Sequence, residues 1–145
     1  MKALTGVVAA IATCLIFDAA AQTSTPRALV ESGTAACIKD GAAAAVTVWI
    51  KGSALEGNAH AVSQATSLRQ VEDFYGKAVG SDVLRAIPLS PRSRLIYFTI
   101  NFQKGALYAR MQAYQMPDGG WVSTEFKFHT EAVNILPPSM TSVAQ

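Results

Sequence analysis

The sequence predicts an α+β fold in which N-terminal helices pack on one face of a curved antiparallel meander sheet. Apolar residues recur at helical spacing in the first half of the chain and at every second position in the second half. Hydrophobic residues make up 50% of the 145 residues and charged residues 15%, which is typical of a folded domain rather than a disordered chain. The net charge of +2, without a run of like charges, argues against a nucleic-acid-binding protein.

Residues 1–21 have the pattern of a secretory signal peptide. Methionine and lysine begin it, a mostly apolar stretch covers 3–17, and three alanines end at Ala21. This pattern predicts cleavage after Ala21 and a periplasmic or secreted protein, with one domain over 22–145 and no membrane span after cleavage. The apolar stretch is shorter than the about 20 residues of a spanning helix, which disfavours a membrane anchor.

The two cysteines exclude a disulfide-rich scaffold and a zinc site built on several thiolates. Cys14 lies in the predicted leader, and Thr13 before it disfavours lipidation, which requires a small residue at that position. Cys37 then has no partner in its own mature chain. Because its neighbours Ala36 and Ile38 are apolar, we expect Cys37 to be buried.

Three helices are predicted before the sheet. The first begins near Pro26, a residue suited to a first helical turn, and ends at Asp40-Gly41. The second covers 42–51 and the third about 60–75. The apolar stripes consist of Leu29, Val30, Gly33, Cys37 and Ile38 in the first helix, of Val46, Trp49 and Ile50 in the second, and of Ala61, Ala65, Leu68, Val71, Phe74 and Tyr75 in the third.

Four strands follow, over 83–89, 95–103, 106–116 and 121–129. Pro88 marks the first of them as an edge strand or a bulged one. In the second strand, one face carries the apolar residues Ile96, Phe98, Ile100 and Phe102. The helices must cover this face of the sheet.

The apolar pattern also predicts a strand register. A two-residue turn at 104–105 pairs Phe98 with Met111, whereas a three-residue loop would mix apolar and polar side chains on each face. A four-residue turn over 117–120 pairs Met111 with Phe126. We therefore expect Phe98, Met111 and Phe126 to meet on the helix-facing side of the sheet.

The same register places Tyr97, Tyr108 and Tyr114 around Arg110 on the opposite face of the sheet. Glu125 lies diagonal to Arg110, which predicts a surface ion pair. This face is either solvated or an interface, and tyrosine and arginine are enriched in interfaces. A two-fold homodimer through this face is therefore one expectation.

Two further basic residues bear on this face. Lys127 stands opposite Arg110, and these like charges need a carboxylate between them. Arg85 faces the core if Val83 does, and there it would need a carboxylate partner or an anionic ligand. If Leu84 faces inward instead, Arg85 is a solvated surface residue, and the pattern leaves both alternatives open.

Several short stretches occur in order along the chain. They are residues 52–58, 63–65, 68–76, 93–97, 104–105, 121–122 and 126–130, within about 29–136. Together they resemble a family of small exported bacterial proteins of unknown function with an NTF2-like (cystatin-like) fold. The resemblance implies that fold and an exported location, and it implies no activity. His129 stands where the family pattern has asparagine, so the resemblance assigns it no role.

Patterns for catalysis are mostly missing. The three well-defined strands carry one carboxylate, Glu125, on the face away from the helices, whereas an NTF2-like isomerase or hydrolase needs a carboxylate inside the pocket. Asp73 either points inward from the third helix or serves in a helix-end or ion-pair role. His60 and His129 lack a third ligand for a metal site. The sequence contains neither a strand–Ser–helix elbow nor a glycine-rich phosphate loop.

The sequence therefore predicts a non-enzymatic exported protein, without cofactor or metal, that acts as a protein-interaction or self-associating module. The alternative is a small-ligand-binding protein that uses the pocket between sheet and helices, with Arg85 at its polar end. An NTF2-like isomerase or hydrolase comes third. The candidate ligand or interface residues are Arg85, Tyr97, Tyr108, Arg110 and Tyr114.

Overall fold

The structure, a computed structural model, describes residues 24–142. The predicted signal peptide, with Cys14, lies outside the described residues. The helices are α1 (Pro26–Asp40), α2 (Ala42–Ile50) and α3 (Ala59–Tyr75), and the strands are β1 (Ala78–Ser90), β2 (Ser93–Phe102), β3 (Gly105–Gln115) and β4 (Trp121–His129). A 3-10 turn at Ala132–Asn134 and a short helix, α4 (Pro138–Thr141), follow and were not predicted.

The predicted α+β class is confirmed. The three helices precede an open antiparallel sheet of order β1-β2-β3-β4 and cover one of its faces. No helix within residues 24–142 is both long and apolar enough to cross a membrane.

The helix ends follow from local chemistry. Thr25 Oγ1 accepts the N–H of Ala28 at 3.0 Å and begins α1. Gly41, with φ of 96°, separates α1 from α2 in a conformation that side chains disfavour. Gly41 has no side chain to cap α2, and the carboxylate of Glu72 does so instead, accepting the N–H of Ala42 at 2.6 Å. This bond ties α3 to the start of α2.

Trp49 lies at the centre of the core and is fully buried. Its Nε1 donates to the carbonyl of Leu29 at 3.0 Å, and its ring packs on Phe98 and Phe126 with centroid distances of 5.7 and 4.8 Å. The indole crosses α1 at Gly33, where any Cβ atom would collide with the ring. The first helix therefore approaches the second through a position that only glycine fits.

The predicted β2–β3 register is wrong by two residues. The turn is at 103–104, so Phe98 pairs with Ala109 rather than with Met111. A shift of two residues keeps every side chain on its face. Phe98, Met111 and Phe126 are therefore buried together on the helix-facing side, as predicted, and Met111 pairs with Phe126.

The end of α3 positions this turn. The N–H of Lys104 donates to the carbonyl of Tyr75 at 2.9 Å, and that of Gln103 donates to Lys77 at 3.0 Å. The Tyr75 ring lies against Gly105, where a Cβ would come within 2.7 Å of it. Gly105 thus provides space for an aromatic ring at the start of β3 and is not part of the turn itself.

Strand β1 is longer than predicted and is irregular. Its register against β2 shifts at three places, and the extra residues there are Val79, Leu84 and Leu89, whose side chains are exposed. In β4, Thr124 is the extra residue of another bulge, and Ala113 of β3 pairs with Ser123.

Most of the predicted helix stripes are buried, three residues of the third stripe (Ala65, Val71 and Tyr75) are half-buried, and two residues are exposed. Ile38 is 50% exposed and Phe74 77% exposed, so the prediction that they pack in the core is wrong. The prediction that Cys37 is buried is confirmed. Burial and, to a smaller extent, the charge of Glu72 raise the pKa of the Cys37 thiol to about 11. The thiol is therefore protonated and unreactive at neutral pH.

Candidate functional site on the outer sheet face

We call the face of the sheet opposite the helices the outer face. Two adjacent rows of paired residues cross it. The basic row consists of Arg85, Tyr97, Arg110 and Lys127, and the mixed row consists of Asp82, Thr99, Tyr108 and His129. Four of the five candidate residues, Arg85, Tyr97, Tyr108 and Arg110, therefore lie together, because the strand pairing aligns them.

Tyr114 does not belong to this group. It pairs with Val122 near the far end of β3 and lies beside Met116 and the 52–54 loop that follows α2. Tyr114 and Tyr108 are six residues apart on one strand, which corresponds to about 20 Å. Tyr97 and Tyr108 therefore lie in the two rows at Arg110, and Tyr114 lies further along β3.

The bulge at Leu84 determines the orientation of Arg85. Val83 pairs with Phe98 and shares the helix-facing side, whereas Arg85, after the extra residue, pairs with Tyr97 on the outer face. Arg85 is exposed, and the ion pairs found within residues 24–142 do not include it. The expected sheet–helix pocket with Arg85 at its polar end is thus not formed.

Glu125 separates the like charges of the basic row. Its Oε1 contacts Arg110 Nη2 at 3.0 Å and Lys127 Nζ at 3.2 Å, which confirms the predicted ion pair. Partial burial raises the pKa of Glu125, but the hydrogen bonds and charges of Lys127 and Arg110 outweigh it, and the net effect is a lowered pKa. Three cations and one carboxylate leave this part of the outer face basic.

Two polar atoms at the centre of the outer face are buried without a hydrogen-bond partner among the described residues. They are Thr99 Oγ1 and Arg110 Nε. Thr99 is only 7% exposed, and its neighbour Tyr97 is also buried, although both lie on the face away from the helices. A buried polar atom without a partner costs free energy, so such atoms are rare in folded proteins.

Sequence analysis did not select Thr99 or Asp82. Asp82 could have been found if β1 had been extended back to Ala78, since it then falls in the row next to Arg85. Nothing in the sequence distinguishes Thr99 from an ordinary strand threonine, because its neighbours Asp82 and Tyr108 are brought to it by strand pairing.

A second concave surface lies between α3 and the ends of β3 and β4. It is an open groove of about 450 Å³. Its walls are formed by Val71, Phe74, Tyr75, Leu107 and Phe128, with Ser67, Gln70, His129 and Thr130 as the polar lining. The exposed ring of Phe74 lines this groove beside the ring of Tyr75, at a centroid distance of 5.1 Å.

The acidic and histidine residues considered for catalysis have other positions. Asp73 is exposed on α3 and does not point inward, and Glu72 caps α2. His129 Nδ1 accepts the N–H of Glu131 at 2.9 Å, and His60 contacts Gln64. Within residues 24–142, no three His, Cys, Asp or Glu side chains cluster as metal ligands would.

Comparisons of the chain with protein-family models, with curated proteins and with solved structures gave no match. Its function is therefore inferred from the outer face and the groove.

Proposed function

We propose that this chain is an exported, non-enzymatic protein that associates through its outer sheet face, in the first place with a second copy of itself. The observation that carries the proposal is the alignment of Arg85, Tyr97 and Arg110 in one row of paired residues, with Tyr108 in the neighbouring row. Tyrosine and arginine are enriched in interfaces. Arg85 is exposed and belongs to none of the ion pairs found within residues 24–142, so it is available to a partner.

Light scattering of the purified protein tests this proposal. We expect a dimer, and we expect Tyr108→Arg to convert it to a monomer because the added positive charge is forced into an interface that is already basic. Tyr114→Arg is the matched control on the same strand and should leave the dimer intact. A wild-type monomer at high micromolar concentration, or a dimer unaffected by Tyr108→Arg, would overturn the proposal.

Export and the fold family belong to the same proposal. The charged start, the apolar stretch and the three alanines of residues 1–21 support a signal peptide. Helices packed on one face of an open antiparallel meander support an NTF2-like (cystatin-like) assignment. The intact mass of protein recovered from the periplasm or the medium should correspond to a chain that begins at Gln22. Retention of Met1, or acylation of Cys14, would contradict this prediction.

The groove beside α3 favours a second candidate function, the binding of a small apolar ligand. Its volume of about 450 Å³ and the exposed Phe74 are the observations that support it. Binding of an apolar fluorescent probe tests this function. Ser67→Trp should fill the groove and weaken probe binding, whereas Thr66→Trp, exposed on α3 outside the groove, should not. Equal probe binding by both variants would argue against it.

A further inference from the structure

We infer that the two copies pack with their two-fold axis across the strands, between the basic row and the mixed row, so that Arg85 of each copy pairs with Asp82 of the other. This inference rests on the proposed function and assigns the residues that determine how the two copies associate. It follows from where the two rows place charge on the outer face.

Symmetry restricts the possible contacts. In a face-to-face dimer the two-fold axis lies in the interface, and each residue meets the residue at the mirrored position across the axis. An axis parallel to the strands and centred on the sheet would bring Arg85 against Lys127. An axis along the basic row would bring Arg85 against Arg85 and Arg110 against Arg110. Both arrangements oppose like charges, which disfavours association.

An axis between the two rows pairs opposite charges. Each member of the basic row then faces the member of the mixed row on the same strand. Arg85 faces Asp82, whose Oδ2 already accepts a hydrogen bond from Asn101 at 2.7 Å, so Oδ1 can accept one from the guanidinium. Within residues 24–142 of a single chain, Arg85 and Asp82 form no ion pair with each other, although they lie in adjacent rows.

The central strands contribute complementary contacts in the same arrangement. Tyr97 of one copy faces Thr99 of the other, so that an aromatic side chain lies against a small one. Arg110 faces Tyr108 and can place its guanidinium on the aromatic ring. The central strands therefore add one arginine–tyrosine pair on each side of the axis.

The geometry of packed sheets allows this arrangement. The two rows lie about 7 Å apart along each strand, within reach of an arginine side chain across facing sheets about 10 Å apart. Rotation about an axis perpendicular to the strands keeps the strands of the two copies aligned, as in known packed sheets. On β4, Lys127 faces His129, which adds no pair of opposite charges, so β1, β2 and β3 carry the complementary contacts.

Charge reversal and rescue test the inference. Dissociation constants come from sedimentation or light scattering over a dilution series of the full protein. Arg85→Glu and Asp82→Arg should each weaken the dimer about tenfold or more, because each replaces two attractive pairs by two repulsive ones. The double variant should return to within about threefold of wild type. Arg92→Glu, in the exposed β1–β2 turn, makes the same change in net charge as Arg85→Glu and should have no effect.

A mixing experiment gives an independent measurement. Equal amounts of the Arg85→Glu and Asp82→Arg variants should form a heterodimer with near wild-type affinity. Both ion pairs reform in it, because the introduced glutamate of one copy faces the introduced arginine of the other, and the unchanged Asp82 faces the unchanged Arg85.

The possible outcomes separate the inference from the proposed function. A wild-type monomer would overturn both together. A dimer that Tyr108→Arg dissociates, but that tolerates both charge reversals or shows no rescue in the double variant and the mixture, would overturn the inference and leave the proposed function intact.

Discussion

At the scale of single residues, the core contains a close approach of the Trp49 indole to the backbone at Gly33. The indole occupies the space that a side chain at position 33 would need, and its Nε1 is held by the carbonyl of Leu29. The ring cannot retreat without losing this hydrogen bond and its contacts with Phe98 and Phe126. The packing of α1 on α2 therefore depends on the absence of one carbon atom.

This contact predicts the effect of Gly33→Ala. The new methyl group should displace Trp49 and lower the free energy of unfolding by about 1–3 kcal/mol, as overpacking of a core does. Gly80→Ala is the control, because a Cβ there meets no atom within 4 Å. Urea denaturation of both variants measures the difference. Equal midpoints for the two would show that the core can accommodate the methyl group.

Glu125 predicts a pH dependence. Its pKa is lowered below the ordinary value of 4.5, because the contacts with Lys127 and Arg110 outweigh the effect of burial. A carboxylate with a lowered folded-state pKa stabilises the fold above its unfolded pKa and loses this contribution as the pH falls through the folded pKa. The stability difference between wild type and Glu125→Gln should therefore shrink as the pH falls below about 4.5. A pH-independent difference would contradict this assignment.

At the scale of elements, α3 is the least buried of the three helices that pack on the sheet. Only Ala61 and Leu68 of its 17 residues are buried, and the carboxylate of Glu72 joins it to the start of α2. Glu72→Ala should remove this cap and cost about 1 kcal/mol, the usual value of an N-terminal cap. Asp73→Ala, one residue later and exposed, should change little. Thermal unfolding followed by circular dichroism compares the two variants.

The sheet and α2 meet at Phe126. Phe126→Ala should cost about 3–5 kcal/mol, because it leaves a cavity beside Trp49 and Phe98. Phe74→Ala removes the same number of atoms from an exposed position and should leave the unfolding midpoint close to that of wild type. If the two variants were equally stable, the side chain of Phe126 would not belong to the core.

The elements also show which structural information the sequence contains. Alternation over 95–103 predicted both the strand and its buried face, because apolar side chains of a half-buried strand recur at every second residue. This two-residue period cannot distinguish the correct pairing of β2 with β3 from a pairing shifted by two residues. The contact of Tyr75 with Gly105 decides between them, and it joins residues that are distant in sequence.

At the scale of the whole molecule, the order of helices and strands was predictable and the fine structure of the outer face was not. Arg85 could not be oriented in advance because the bulge at Leu84 leaves no sequence pattern. The grouping of Tyr97, Tyr108 and Arg110 did follow from alternation, since a shift of two residues preserves the face. The burial of Thr99 could not be predicted, because no pattern in the sequence around it indicates that a residue on the outer face is buried.

The bulges of β1 affect the tendency of the protein to aggregate. A regular apolar edge strand would be a template on which a strand of another chain could add, the first step of amyloid-like growth. In β1 the extra residues Val79, Leu84 and Leu89 interrupt the hydrogen-bond ladder at regular intervals, and Pro88 lacks an N–H. The exposed apolar side chains of this strand therefore stand on an irregular edge, which disfavours the addition of a strand from another chain.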